Sequence, residues 1–137
     1  MAEFMIVPVI IMGTLIGLIE LFFVHADEKG LGWLSHGLHA LPVAFFLTFI
    51  AMNLEFAASL MNFSLQSNFW LDLGIRTVLG LVAAFKVKAA AAVVKGHNSV
   101  GESLPHALIV GALIAASPYI WMGIGPLIEP VLPAFLQ

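Results

Sequence analysis

"RTVLGLVAAFKVKAAAAVV", residues 76–94, decides how this chain is read. A bilayer's hydrocarbon core takes roughly 20 apolar helical residues, and this stretch is long and apolar enough to cross it. Yet it opens on Arg76 and carries Lys86 and Lys88 inside it. A helix in lipid keeps such cations only if each finds a partner, water or the headgroups.

Composition points to lipid as the solvent. The chain has 137 residues, 61% hydrophobic and 9% charged, with a mean hydropathy of +1.07. Soluble domains carry about 25% charged residues. A chain this short keeps a large surface for its volume, so it cannot hide so much apolar area from water. The formal charge of -3 gives no reason to expect nucleic acid. The absence of cysteine removes disulfides, thiolate metal sites and cysteine nucleophiles.

Working outward, four apolar segments qualify as helical spans, at about 4–24, 34–61, 69–94 and 104–124. The first has an acid, Glu3, and no Lys or Arg before its apolar run, so it reads as a retained span rather than a cleavable signal. Short polar connections follow: "HADEKGLG", "NFSLQSN" and "KGHNSVGES". The second segment is long enough to tilt or protrude. The expected fold is all-α, a four-transmembrane-helix bundle in a single domain over 1–137, with no separate soluble domain. Ser103 suits an N-cap with Pro105 in the turn after it. Pro118 should kink the fourth span. The tail 125–137 is apolar but broken by Pro126, Pro130 and Pro133, which predicts an interfacial segment rather than a continued helix. Gly13 with Gly17, and Gly74 with Gly80, are small residues of the kind that let helix backbones approach in lipid. Trp33, Trp70, Tyr119 and Trp121 fall near span ends and read as an interfacial belt.

Charge sets the expected orientation. Lys29, Lys95 and the nearby Lys86 and Lys88 share one side, leaving only Arg76 toward the other. The first and third connections are therefore expected in the cytoplasm, and both termini outside.

The polar residues inside the spans sort by depth into two sets. The cytoplasmic half holds Glu20, His25, His36, His39, Lys86, Lys88, Glu102 and His106. The outer half holds Asn53, Glu55, Asp72 and Arg76. Asp72 and Arg76 stand at i,i+4 and can pair on one helix. Lys86 and Lys88 point about 200° apart, so both cannot face one cavity. At least one is expected to snorkel to the headgroups. The other can turn inward to Glu20, which is expected to face the bundle or a subunit interface. His36 and His39, at i,i+3, could hold a metal with His106 or Glu20. His39 and His106 could instead ligate haem. No cofactor is required by the sequence, and no motif for catalysis or phosphate binding is present.

Three functional readings follow. The first is an accessory or scaffolding subunit of a larger membrane complex, not catalytic on its own. The second is a small homo-oligomeric ion or solute transporter or channel that uses Glu20 with nearby His and Lys. The third is a haem- or metal-binding redox subunit. The expected partners are the bilayer and either other membrane subunits or copies of the chain itself.

Overall fold

The computed structural model describes residues 2–27, 33–94 and 103–133. Among them the chain is all-helical, without strands. Helix α1 is Val7–Asp27, α2 is Trp33–Met52, α3 is Leu54–Leu60, α4 is Phe69–Val94 and α5 is Leu104–Ile128, followed by a 3-10 turn at Glu129–Val131. Two helical stretches, Val7–Asp27 and Leu104–Val131, are long and apolar enough to cross a membrane. The bent pair Ala40–Met52 and Leu54–Leu60 makes a third if it is one span. Helix α4 is as long, but Asp72, Arg76, Lys86 and Lys88 lower its hydropathy.

The helices pack as two close antiparallel pairs, α1 with α2 and α4 with α5. Helix α2 also touches α4 and α5, and α5 touches α1, so α2 and α5 lie on the short diagonal. Glycines allow both close pairings. A Cβ on Gly13 would stand 2.7 Å from the Phe45 ring, and one on Gly17 would stand 2.9 Å from Leu41 Cδ2. Across the other pair, a Cβ on Gly80 would meet Ala115 Cβ and the Gly111 carbonyl at 2.9 Å each. Gly74 is different: nothing lies within 4 Å of where its Cβ would be.

The interior is mostly apolar, as in a soluble bundle, but much of the exterior is apolar too. Glu20, Asp72 and Arg76 are buried, while Phe22, Phe46, Val78, Phe85 and Met122 are exposed. An exterior this apolar matches lipid better than water.

Three expectations are corrected. The segment 34–61 is not one helix but breaks at Asn53, with a bend of 48° between its halves. Asn53 offers the backbone an alternative to helix bonding. Its Nδ2 donates to the Phe49 carbonyl at 3.1 Å and to the Met5 carbonyl at 3.2 Å, and Met5 N–H donates to its Oδ1 at 2.8 Å. The fourth helix does not stop at 124. It runs through Pro126 to Ile128. Proline costs a helix one N–H but need not end it: α2 runs through Pro42 and α5 through Pro118 as well. Third, Trp121 is core rather than belt. It packs over Gly125, where a Cβ would stand 2.9 Å from the indole.

Pro118 removes the N–H that would bond the Ile114 carbonyl. Ser117 Oγ donates to that carbonyl at 2.8 Å, so the oxygen is not left bare in the interior. The α3–α4 connection is equally well satisfied. Asn62 takes the left-handed conformation, φ 57°. Phe63 N–H then reaches the Ala58 carbonyl and Asn62 N–H the Ser59 carbonyl, the Schellman way of ending a helix. Asn68 caps α4 through Leu71 N–H at 3.2 Å.

Two glycine substitutions should behave oppositely. A Cβ on Gly111 would collide with the Gly80 carbonyl and stand 2.9 Å from Ala84 Cβ. Gly111→Ala should therefore destabilise the purified protein, by about 1–3 kcal/mol as overpacking does. Gly74→Ala meets open space and should be neutral or stabilise by up to about 1 kcal/mol through helix propensity. Thermal unfolding in one detergent, followed by tryptophan fluorescence, checks both. Equal destabilisation by the two would show that α4 and α5 do not meet at Gly80 and Gly111.

Candidate functional site

The polar side chains fall at the two ends of the bundle. At the end near Trp70, α4 turns Asp72 and Arg76 inward, 4% and 3% exposed. Arg76 Nε donates to Asp72 Oδ1 at 2.8 Å. Arg76 Nη1 donates to the Ala51 carbonyl at 2.8 Å. That carbonyl lies in the last turn of α2, where carbonyls lack intrahelical donors and the helix dipole favours a cation. Tyr119 of α5 donates its hydroxyl to Asp72 Oδ2. The guanidinium carbon also lies 5.2 Å from the Tyr119 ring centre. One carboxylate and one guanidinium thus tie α2, α4 and α5 together.

Asn53 and Glu55, expected at the same depth, act separately. Asn53 clamps the chain entering α1 through both backbone groups of Met5. Glu55 organises the α3–α4 connection. Its Oε1 accepts from Ser64 Oγ at 2.7 Å, and its Oε2 accepts from the backbone of Leu65 and Gln66. The four outer residues therefore form three local knots rather than one pool of charge.

At the other end, Asp27 Oδ2 accepts from Ser103 N–H and from His106 Nδ1, both at 2.8 Å. A carboxylate only accepts, so His106 carries its proton on Nδ1. Ser103 occupies the N-cap position of α5 but makes no side-chain capping bond. Asp27, reaching from α1, supplies the anion at that helix N-terminus instead. His106 stacks on Phe23 with ring centres 4.3 Å apart, and His25 stacks on Trp33 at 3.7 Å.

Glu20 is 2% exposed and shares the inward face of α1 with Ile16, Gly17 and Val24. Lys86 is exposed, whereas Lys88 is half-buried. His36 and His39 lie in the first two turns of α2, but their side chains are outside the described residues, as are Glu102, Lys29, Lys95 and His97 altogether. Among the described residues no three His, Asp or Glu side chains are grouped to hold a metal. His106, a candidate ligand for metal or haem, has its Nδ1 on Asp27.

Between α4 and α5, on the outer side of their seam, lies a groove of about 370 Å³. Gly80, Leu81, Leu108, Ala112 and Ala115 line most of it, and Arg76, Thr77 and Tyr119 stand at one end. Asp27, Ser117 and Thr48 escaped the sequence reading, which takes Tyr119 only as a belt residue. Depth matching was available for Tyr119, which antiparallel packing sets level with Asp72. Ser117 and Thr48 bond backbone carbonyls, a role that no pattern of charge reveals.

The tie across three helices predicts strong coupling. Asp72→Asn should cost about 3–5 kcal/mol, the usual loss when one partner of a buried ion pair is removed. In an Arg76→Gln background the same change should cost much less. Tyr119→Phe, which removes one hydroxyl, should cost about 1–2 kcal/mol. Denaturant unfolding in detergent measures all three, and additive losses would mean that Arg76 is held by other groups. No protein-family model matches the chain, and no curated protein or solved structure is significantly similar to it.

Proposed function

We propose that the chain is an integral membrane protein of four spans, formed by α1, the bent α2–α3 pair, α4 and α5, with both termini on the non-cytoplasmic side. We read it as a small accessory or scaffolding subunit of a membrane complex. One observation carries this reading. Of the six buried polar side chains among the described residues, Thr48, Asn53, Asp72, Arg76 and Ser117 are bonded to one another, to Tyr119 or to the backbone. They serve to join and complete helices. The apolar exterior is then the surface left for contact with lipid and partners.

A second reading rests on Glu20, which has interactions of its own. It is a carboxylate buried in the second half of α1, and intramembrane carboxylates often mark ion or proton paths. This favours a homo-oligomeric transporter or channel.

A native gel in mild detergent separates the two. The scaffolding reading expects the 14.7 kDa chain to co-migrate with a second polypeptide. It also expects Glu20→Gln to weaken that assembly. The transporter reading expects copies of this chain alone, which conduct protons or cations in vesicles and stop when Glu20 becomes Gln. Single-cysteine variants at Ser64 and Lys95 should label from opposite sides of intact cells. Labelling of both from one side would overturn the four-span arrangement.

A further inference from the structure

We infer that the cavity between the start of α1 and the end of α5 binds a small organic cation, an ammonium that also carries an acceptor oxygen. The inference holds whether the chain is a scaffold or a transporter.

The cavity has a volume of about 590 Å³, within the range of about 300–1,000 Å³ usual for small-molecule sites. It lies at the end of the bundle where Asn53 clamps Met5. Glu3 and Glu129, both exposed, form its polar rim, and Met5, Val7, Leu132 and Trp121 supply its apolar wall. Helix α5 ends here, so its last carbonyls add partial negative charge. That dipole disfavours an acid, yet Glu129 is the C-cap residue. No Lys, Arg or His stands among the described lining residues. Glu129 also has an interaction of its own, so the acids by themselves do not define a ligand.

Trp121 is the second mark. It is 6% exposed, and a buried indole N–H usually finds an acceptor. This one bonds to no described residue, and its nitrogen is not sealed from solvent. The ring leans along α5 over Gly125, where Nε1 and Cε2 are the atoms that a Cβ would meet. Gly125 is four residues, about 6 Å, short of Glu129. A buried donor without an acceptor therefore stands in the wall, below two carboxylates at the rim.

The chemistry selects the ligand. The carboxylates and the helix end take an ammonium, the indole N–H takes an oxygen, and the apolar wall takes the hydrocarbon that joins them. A hard metal ion asks for about six or more oxygen ligands, and no three His, Asp or Glu are grouped among the described residues. A phosphocholine headgroup would bring its phosphate against two carboxylates, so the ligand is a free cation rather than a lipid.

The test uses the full chain in a maltoside detergent, with tritiated benzoylcholine as probe. This ester has a quaternary ammonium, a carbonyl and an apolar ring. Its binding should saturate at a single probe per chain. Glu3→Gln and Glu129→Gln together, at exposed positions, should weaken it at least about tenfold, as should a tert-butyl group in place of the trimethylammonium. Trp121→Phe keeps a ring but removes the N–H and should weaken it about fivefold, the worth of one hydrogen bond. Should that variant fold poorly, the ether analogue of the probe reads the same bond on the native chain and should bind about fivefold more weakly than the ester. Glycerophosphocholine should not displace the probe. Unsaturable binding, equal binding of the tert-butyl or ether analogue, affinity unchanged by the double acid variant, or displacement by glycerophosphocholine would overturn the inference.

Discussion

A guanidinium buried at 3% exposure among apolar helices is the constraint to which the rest of this bundle answers. Isolated, it would be several kcal/mol too costly to keep. It is kept because Asp72 shares its helix, the end of α2 presents a carbonyl, and Tyr119 holds the second carboxylate oxygen. Each of these comes from a different helix or turn. Satisfying one side chain therefore fixes the relative position of α2, α4 and α5. It also fixes where α2 must end, since a carbonyl inside a helix is already bonded and could not accept so readily.

The same demand recurs wherever the backbone loses a partner. In lipid there is no water to make up a missing hydrogen bond, so each lost one must be replaced by the protein. Ser117 fills the gap that Pro118 leaves. Asn53 ends α2 and uses its amide to hold Met5 in place. Glu55 and Asn68 take up donors of the connecting turn and of the next helix. Asp27 does so for α5. These residues share no motif. Each is a short polar side chain placed where a helix begins, bends or stops.

That explains which parts of the molecule were legible in the sequence. Hydropathy marks long apolar segments well, so an all-helical chain with candidate spans was readable from 4–24 and 104–124 alone. The break at Asn53 was not, because Asn in an apolar run gives no sign of whether it bonds its own helix or a distant backbone. The Asp72 and Arg76 spacing was visible, since i,i+4 is a property of one helix. The role of Tyr119 needed the packing of a second helix. Pro126 misled because a proline removes one N–H from a helix without by itself ending it, as Pro42 and Pro118 inside their helices also show. Trp121 misled because position near a span end says nothing about which way the helix face turns.

The groove follows from the same packing. Helices that cross diverge on either side of their closest approach, and α4 and α5 come closest where Gly80 faces Gly111. Small side chains there, Ala112 and Ala115, do not fill the space that opens beyond the contact. A larger residue at Gly80 or Gly111 would push the backbones apart, since the room for a Cβ is already exhausted at both. Close contact at Gly80 and Gly111 and an open seam beside it are therefore one consequence of one choice of residues. Tyr119 bridges the seam at its far end because Asp72 holds its hydroxyl, so the tie that neutralises Arg76 also sets where the groove stops.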